Sequence, residues 1–190
     1  MIEDIHLIQQ VLKGNQSAFR NLVERYQSYV FTIAYKVVKN RERAEEVAQD
    51  VFIKVYRMLG SYQQKSKFST WLYTIAYRTA LDEVRKKKRY AESIEADDQY
   101  LQIADQDGKS PAFNIQQADL NQQLEQAIQQ LKPIDATIIS LYYLNEKNVQ
   151  EIQMITGLSK SNIKTKLHRL REQLRDQLQS QLQAEVQDLL

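Results

Sequence analysis

Apolar residues return every three to four positions along most of this chain. Phe19, Leu22, Val23, Tyr26, Val30, Ile33, Ala34 and Val37 fall on one side of a helix, and Val47, Val51, Val55 and Leu59 repeat at four-residue spacing in the next segment. Further on, Ile163, Leu167, Leu170 and Leu174 form a third stripe. Period-two alternation never persists, and only four glycines and two prolines interrupt 190 residues rich in strong helix formers. The pattern predicts an all-α protein. Helices are expected over about 3–12, 16–38, 41–59 and 68–87, and again over about 117–131, 134–145, 149–156 and 160–184. Asn15 after Gly14 and Asn40 before Arg41 are expected N-caps, and Pro133 suits the first turn of a helix that comes after Leu131 and Lys132.

The periodicity lapses over 90–116, where Glu92, Glu95, Asp97, Asp98, Asp105, Asp107, Gly108 and Pro111 collect. That composition reads as a flexible acidic linker. Two small helical domains, 1–90 and 117–184, are therefore expected on either side of a linker at 91–116. Charge follows the same division: Lys and Arg number 17 against 9 Asp and Glu in residues 1–90, 1 against 7 in 91–119, and 8 against 8 in 120–190. A net charge of +2 thus hides a basic N-terminal half. No apolar run approaches the ~20 residues of a membrane span, and the start MIEDIHLIQQ places acids where a secretory signal carries cations. A soluble, cytoplasmic protein without membrane insertion is expected. With no cysteine, and with His6 and His168 far apart, no disulfide, metal site or cofactor is expected. No phosphate-cradling glycine loop, nucleophile elbow or paired acid and base points to an enzyme.

Two segments carry the candidate chemistry. KFSTWLYTIAYRTALDEVRKKKR, from Lys67 to Arg89, joins an aromatic cluster to five cations at one helix end. Rings stack on unpaired bases and cations attract phosphates. Lys86, Lys87, Lys88 and Arg89 also suit a solvated helix end favoured by the macrodipole, but four successive cations cover every side of a helix and fit a phosphate backbone better. Trp71, beside Leu72 and Ile75, is expected in the core. The loop at 61–69, with Lys65 and Lys67, offers a polar site for a base drawn out of the duplex. Downstream, in NVQEIQMITGLSKSNIKTKLHRLREQL, Asn148 and Glu151 have capping-box spacing and Val149, Ile152 and Ile155 share a face. Gly157 permits a tight turn, and Ser159 caps a second helix that leaves Lys160, Asn162, Lys164, Thr165, His168, Arg169 and Arg171 outside its apolar stripe. This is the spacing of a helix-turn-helix whose second helix enters a major groove; a plain helical hairpin with a solvated charged face has it too. Taken alone, the polar positions Glu45, Glu46, Gln49, Asp50, Lys54 and Arg57 are the wet side of an ordinary amphipathic helix. Tyr143 and Tyr142 are expected in the core and at the rim of the downstream domain.

Together these segments resemble the bacterial RNA polymerase sigma factors of the extracytoplasmic-function class within the sigma-70 family. AFRNLVERYQSYVFTIAYKVV is similar to the first conserved segment of region two, RAEEVAQDVFIKVYRML to its core-binding segment, and FSTWLYTIAYRTALDEVRKKKR to the segment that melts and reads the minus-ten element. LEQAIQQLKPIDATIISLYYLNEKNVQEIQMITGLSKSNIKTKLHRLREQL resembles region four, the reader of the minus-thirty-five element. The likeness runs in the family's order over residues 16–178. It implies a region two helical bundle and a region four helix-turn-helix. It implies polymerase binding through Glu46, Gln49, Asp50, Lys54 and Arg57, and minus-ten contacts by Lys65, Lys67, Phe68, Tyr77, Arg78, Arg85, Lys86, Lys87, Lys88 and Arg89. Ser159, Lys160, Asn162, Lys164, Thr165, His168 and Arg169 become the minus-thirty-five contacts. The implied partners are core RNA polymerase, through the clamp helices of its largest subunit and its flap region, promoter DNA, and an anti-sigma factor. The acidic linker would thread the polymerase's RNA path. Two residues depart from the family pattern: Arg78 stands where relatives commonly carry asparagine, and Gln153 where the first helix of the hairpin keeps a small alanine. The alternative function is an autonomous helix-turn-helix regulator, which binds duplex DNA without polymerase and normally as a dimer.

Overall fold

The computed structural model describes residues 2–94 and 115–188, so most of the segment expected as an acidic linker, 95–114, lies outside the described residues. The helices are α1 Ile2–Leu12, α2 Gln16–Val38, α3 Arg41–Met58, α4 Phe68–Ile94, α5 Ile115–Gln130, α6 Pro133–Ile139, α7 Val149–Thr156 and α8 Lys160–Asp188. A 3₁₀ turn, Leu59–Ser61, comes after α3, and a π-helical turn, Ser140–Leu144, after α6. No strand occurs among the described residues. The chain divides into two compact units, the first holding α1 to α4 and the second α5, α6 and α8, with the end of α7, Met154–Thr156, grouped with the first.

In the first unit α2 packs against α1, α3 and α4, and α3 packs against α4. The local sequence sets these boundaries. Asn15 Oδ1 accepts from the Ala18 amide at 3.3 Å, and Asn40 Oδ1 from the Arg43 amide at 2.9 Å, so each helix start has a donor satisfied. Lys39 ends α2 in the left-handed region at φ 52° while its N–H donates to the Tyr35 carbonyl at 2.8 Å. The chain therefore turns from α2 into α3 within two residues. Leu22, Tyr26, Val30, Ile33, Ala34 and Val37 are buried as the periodicity predicts, but Phe19 and Val23 are only half-buried and Ala18 holds the inner position at the helix start. Val47, Val51, Val55 and Leu59 bury against them. Burial of each such side chain contributes about 1.5–3 kcal/mol relative to exposure.

α4 corrects two expectations. It runs to Ile94 rather than 87, since no proline or glycine stops a segment of strong helix formers. Its inward face is Leu72, Tyr73, Ala76, Tyr77 and Ala80, so Trp71 is rotated to the edge of that face and half-buried. Consecutive apolar residues fit a helical stripe in more than one rotation, and here the smaller Leu72 takes the interior. α1 is tied down by a buried carboxylate: Asp4 accepts from Arg25 Nη1 at 2.8 Å and from the Tyr26 hydroxyl at 3.0 Å.

In the second unit α8 packs on α5 and α6 around Ala127, Ile128, Ile138, Ile139, Leu141, Ile163 and Leu167. Pro133 occupies the first turn of α6, and Lys166 reaches Asp135 near that end at 2.7 Å. The single helix expected over 134–145 instead widens into the π-helical turn. This turn keeps Leu141 inside but leaves Tyr143 50% exposed, against its expected place in the core. A π turn accommodates one more residue than an α turn and so rotates the residues beyond it. α7 carries the full capping box: Glu151 N–H donates to Asn148 Oδ1 at 2.9 Å, and the Asn148 N–H to Glu151 Oε2 at 3.1 Å. Gly157 ends it at φ 76°.

Candidate functional site

Three surfaces carry the residues singled out from the sequence. The first is the outer face of α3. The core stripe Val47, Val51, Val55 turns Glu46, Gln49, Asp50, Lys54 and Arg57 into solvent. Lys54 spends one donor on Thr79 Oγ1 at 3.2 Å, which ties it to α4. The sequence reading missed Ile53 and Tyr56, 49% and 48% exposed on the same side of α3. Tyr56 meets Phe19 edge-on at 4.9 Å between ring centroids. Their signal was available: four apolar residues already fill the core stripe of this helix, which makes Ile53 and Tyr56 a surplus. The face combines apolar side chains with both signs of charge, as protein interfaces do.

The second surface runs from the loop before α4 along that helix. Lys65 and Lys67 are exposed on the loop, and Arg78, Arg85, Lys86, Lys87 and Arg89 are exposed on the helix, with Arg78 and Arg85 two turns apart on one side. The Lys88 side chain lies outside those described. Phe68 and Tyr77 leave the set of DNA-facing residues, because at 2% and 5% exposure they have no surface to offer a base. Tyr77's phenol is pushed above its ordinary value by burial, with Arg85 pulling the other way. Instead Phe68 anchors the loop, between Tyr26, Tyr62 and Trp71. Among the cations, Arg85 lies 3.7 Å from Asp82, and Lys86 4.0 Å and Arg43 3.5 Å from Glu83. The Arg43–Glu83 contact is half-buried, whereas Arg85 and Lys86 are exposed and only loosely paired, which leaves their positive charge open to a phosphate.

The third surface is the second helix of the downstream hairpin. Ile163, Leu167, Leu170 and Leu174 are buried, and Ser159, Lys160, Asn162, Lys164, Thr165, His168 and Arg169 are exposed. Ser159 Oγ is engaged as the N-cap, accepting from the Asn162 amide at 3.3 Å. Arg171 stands apart from this exposed row: its Nε donates to the Tyr143 hydroxyl and its guanidinium lies 5.6 Å from the Tyr142 ring centre. This hydrogen bond to Tyr143 holds the Arg171 guanidinium above its ordinary value.

One basic surface bears a loop seated on aromatic rings and another a helix-turn-helix, and comparison with known proteins gives the class of the chain. Residues 22–90 match sigma-70 region 2 and residues 121–174 match sigma-70 region 4, so the chain belongs to the sigma-70 family of RNA polymerase sigma factors. Within that family its likeness is to the extracytoplasmic-function group. It is 36% identical over 170 residues to the ECF RNA polymerase sigma factor SigW of Bacillus subtilis (strain 168), spanning 87% of this chain and 91% of the relative. It is 30% identical over 176 residues to the ECF RNA polymerase sigma-E factor of Escherichia coli (strain K12), spanning 90% and 92%. The fold is shared with the sigma factor RpoE of Bartonella quintana, solved with the anti-sigma factor NepR, at TM-score 0.67 and 19% identity over 85% of this chain and 96% of that one. CnrH, solved with the cytosolic domain of CnrY, aligns at TM-score 0.63 and 20% identity over 94% and 98%. The protein is a promoter-specificity subunit: it directs core RNA polymerase to promoters and assists their opening.

Proposed function

We propose that the three surfaces divide this activity. The outer face of α3, with Glu46, Gln49, Asp50, Ile53, Tyr56 and Arg57, docks on the polymerase clamp helices. The loop 62–67 and the exposed side of α4 take the minus-ten element, the loop capturing an unstacked base while Arg85, Lys86, Lys87 and Arg89 hold phosphates. The exposed side of α8 reads the minus-thirty-five element through Lys164, Thr165, His168 and Arg169. The domains are residues 1–90 and 117–184. The protein acts in the cytoplasm, where its polymerase is, and performs no catalysis itself. None of the described helices is long and apolar enough to cross a membrane.

The observation that supports this reading best is the separation of charge from base-reading geometry. In the first unit five cations sit beyond a loop seated on rings, and in the second an exposed polar row lies opposite a buried stripe. Phosphate contacts position a protein, and base contacts specify the site. Regulation by an anti-sigma partner belongs to the same proposal, since two fold relatives were solved with such proteins. Reconstitution with purified core polymerase and transcription from a promoter library is the test. Promoter-selective transcripts that require both elements are expected. Sequence-selective binding of the isolated protein to duplex DNA as a dimer would instead favour the autonomous regulator.

A further inference from the structure

A relay of contacts joins the N-terminal helix to the loop before α4. Arg25 Nη1 donates to Asp4 at 2.8 Å, and the Tyr26 hydroxyl donates to the other Asp4 oxygen at 3.0 Å. Tyr26 meets Phe68 edge-on at 5.6 Å, and Phe68 meets Tyr62 edge-on at 5.7 Å. Tyr62 also leans on Trp71 at 5.3 Å and donates its hydroxyl to the Ser66 carbonyl at 2.6 Å. This last bond closes the loop on itself. Within it Gln64 holds φ 55°, a left-handed conformation that a side-chain-bearing residue keeps only when its surroundings impose it. Asp4, Tyr26 and Phe68 are buried, so none of the three is placed to touch DNA.

We propose that Asp4 and Tyr62 are positioning residues for minus-ten selectivity: Asp4 fixes the aromatic seat from below, and Tyr62 locks the loop shape from above. The inference rests on the reading of loop 62–67 as the element that captures the unstacked base. A pocket for a flipped base discriminates by shape and by hydrogen bonds held in place. A loop free to choose among several shapes loses discrimination before it loses affinity, because phosphate contacts by Arg85, Lys86, Lys87 and Arg89 persist whichever base is present. Asp4 is 58 positions before Tyr62 in the chain, yet three contacts join them. α1 therefore acts as a strut for selectivity that it does not itself express.

The test uses the full chain reconstituted with core polymerase and measures open-complex formation on promoters with single-base changes in either element. Tyr62→Phe, which removes only the hydroxyl, is expected to narrow the ratio between the preferred and next-best minus-ten base by about threefold to tenfold, the range set by one lost hydrogen bond. Asp4→Ala should narrow it similarly, and Asp4→Asn, which keeps an acceptor for Tyr26, should restore part of it. Ratios among minus-thirty-five variants and core affinity should stay within about twofold of wild type. Equal loss on every promoter, with the minus-ten ratio unchanged, would reduce the relay to a fold-stabilising role and overturn the proposal. Should Asp4→Ala fail to fold, Tyr62→Phe decides alone. An exchange of loop 62–68 with a relative's separates the two readings. If the exchange leaves base choice untouched, the loop assignment and the relay fall together; if it changes base choice while Tyr62→Phe and Asp4→Ala do not, only the relay fails.

Discussion

Single side chains on α3 show how exposure and role come apart. Gln49 and Asp50 are exposed, so replacing both with Ala should move stability by only about ±0.5 kcal/mol. Binding to core polymerase should weaken all the same, and a titration of labelled core with unchanged affinity would remove both residues from the interface. Ile53→Ala should weaken it further, as an apolar contact at the centre of a charged rim does. On α8, Arg169→Ala should cost roughly 1–3 kcal/mol on promoters with the preferred upstream element if the side chain reads a base. A uniform loss across upstream sequences would make it a phosphate contact. The buried phenols behave differently. Burial, reinforced by the Asp4 charge and hydrogen bond, holds Tyr26 well above the ordinary 10.0, and burial raises Tyr73 likewise. A group whose folded value is raised stabilises fully below its unfolded value and loses that contribution as pH climbs past it. Stability of the first unit should therefore fall as pH rises above 10.0, and Tyr26→Phe should flatten that fall in thermal unfolding scans.

Whole helices were the most legible level of this protein. Spacing of three and four, Asn15, the Asn148 and Glu151 pair and Gly157 placed α2 and α7 at their observed bounds, and Asn40 marked the start of α3, because caps and periodicity are local physics. Features that depend on neighbours could not be read. By size and neighbours Trp71 was expected in the core, and only packing on α2 and α3 gives that place to Leu72. Asp4 and Tyr26 meet across 22 positions, and no local signal announces it. The family resemblance implied Phe68 and Tyr77 as minus-ten contacts, and their burial withdraws them. The π-helical turn after α6 broke an otherwise continuous apolar pattern and brought Tyr143 to Arg171. Two outcomes belong to the helices as units. Asn148→Ala should cost about 1 kcal/mol by removing the cap of α7, read as a lower unfolding midpoint. Neutralising Lys86 and Lys87 should weaken binding to all promoters and flatten its salt dependence by nearly one unit of log–log slope per lost phosphate contact. A salt slope unchanged by both substitutions would place these lysines in plain solvent.

At the scale of the whole molecule, the family was legible because four segments occur in one order, and each is short enough to be ambiguous alone. The finer assignment of residues to partners was less so, since it depends on which members of an exposed set a partner touches. Each unit closes its own core, around Val30, Ile33 and Leu72 in the first and Ile138, Leu141 and Ile163 in the second. A chimaera of this chain's first unit with a relative's second should therefore fold, and on hybrid promoters it should follow this protein's minus-ten preference and the relative's minus-thirty-five preference. Transcription only from a promoter matched in both halves to one parent would show that the halves read jointly. Self-sufficient cores also bear on descent. A lineage can rewrite one word of its promoter address and answer it with substitutions in one half of the protein, while the other half goes on reading the unchanged word.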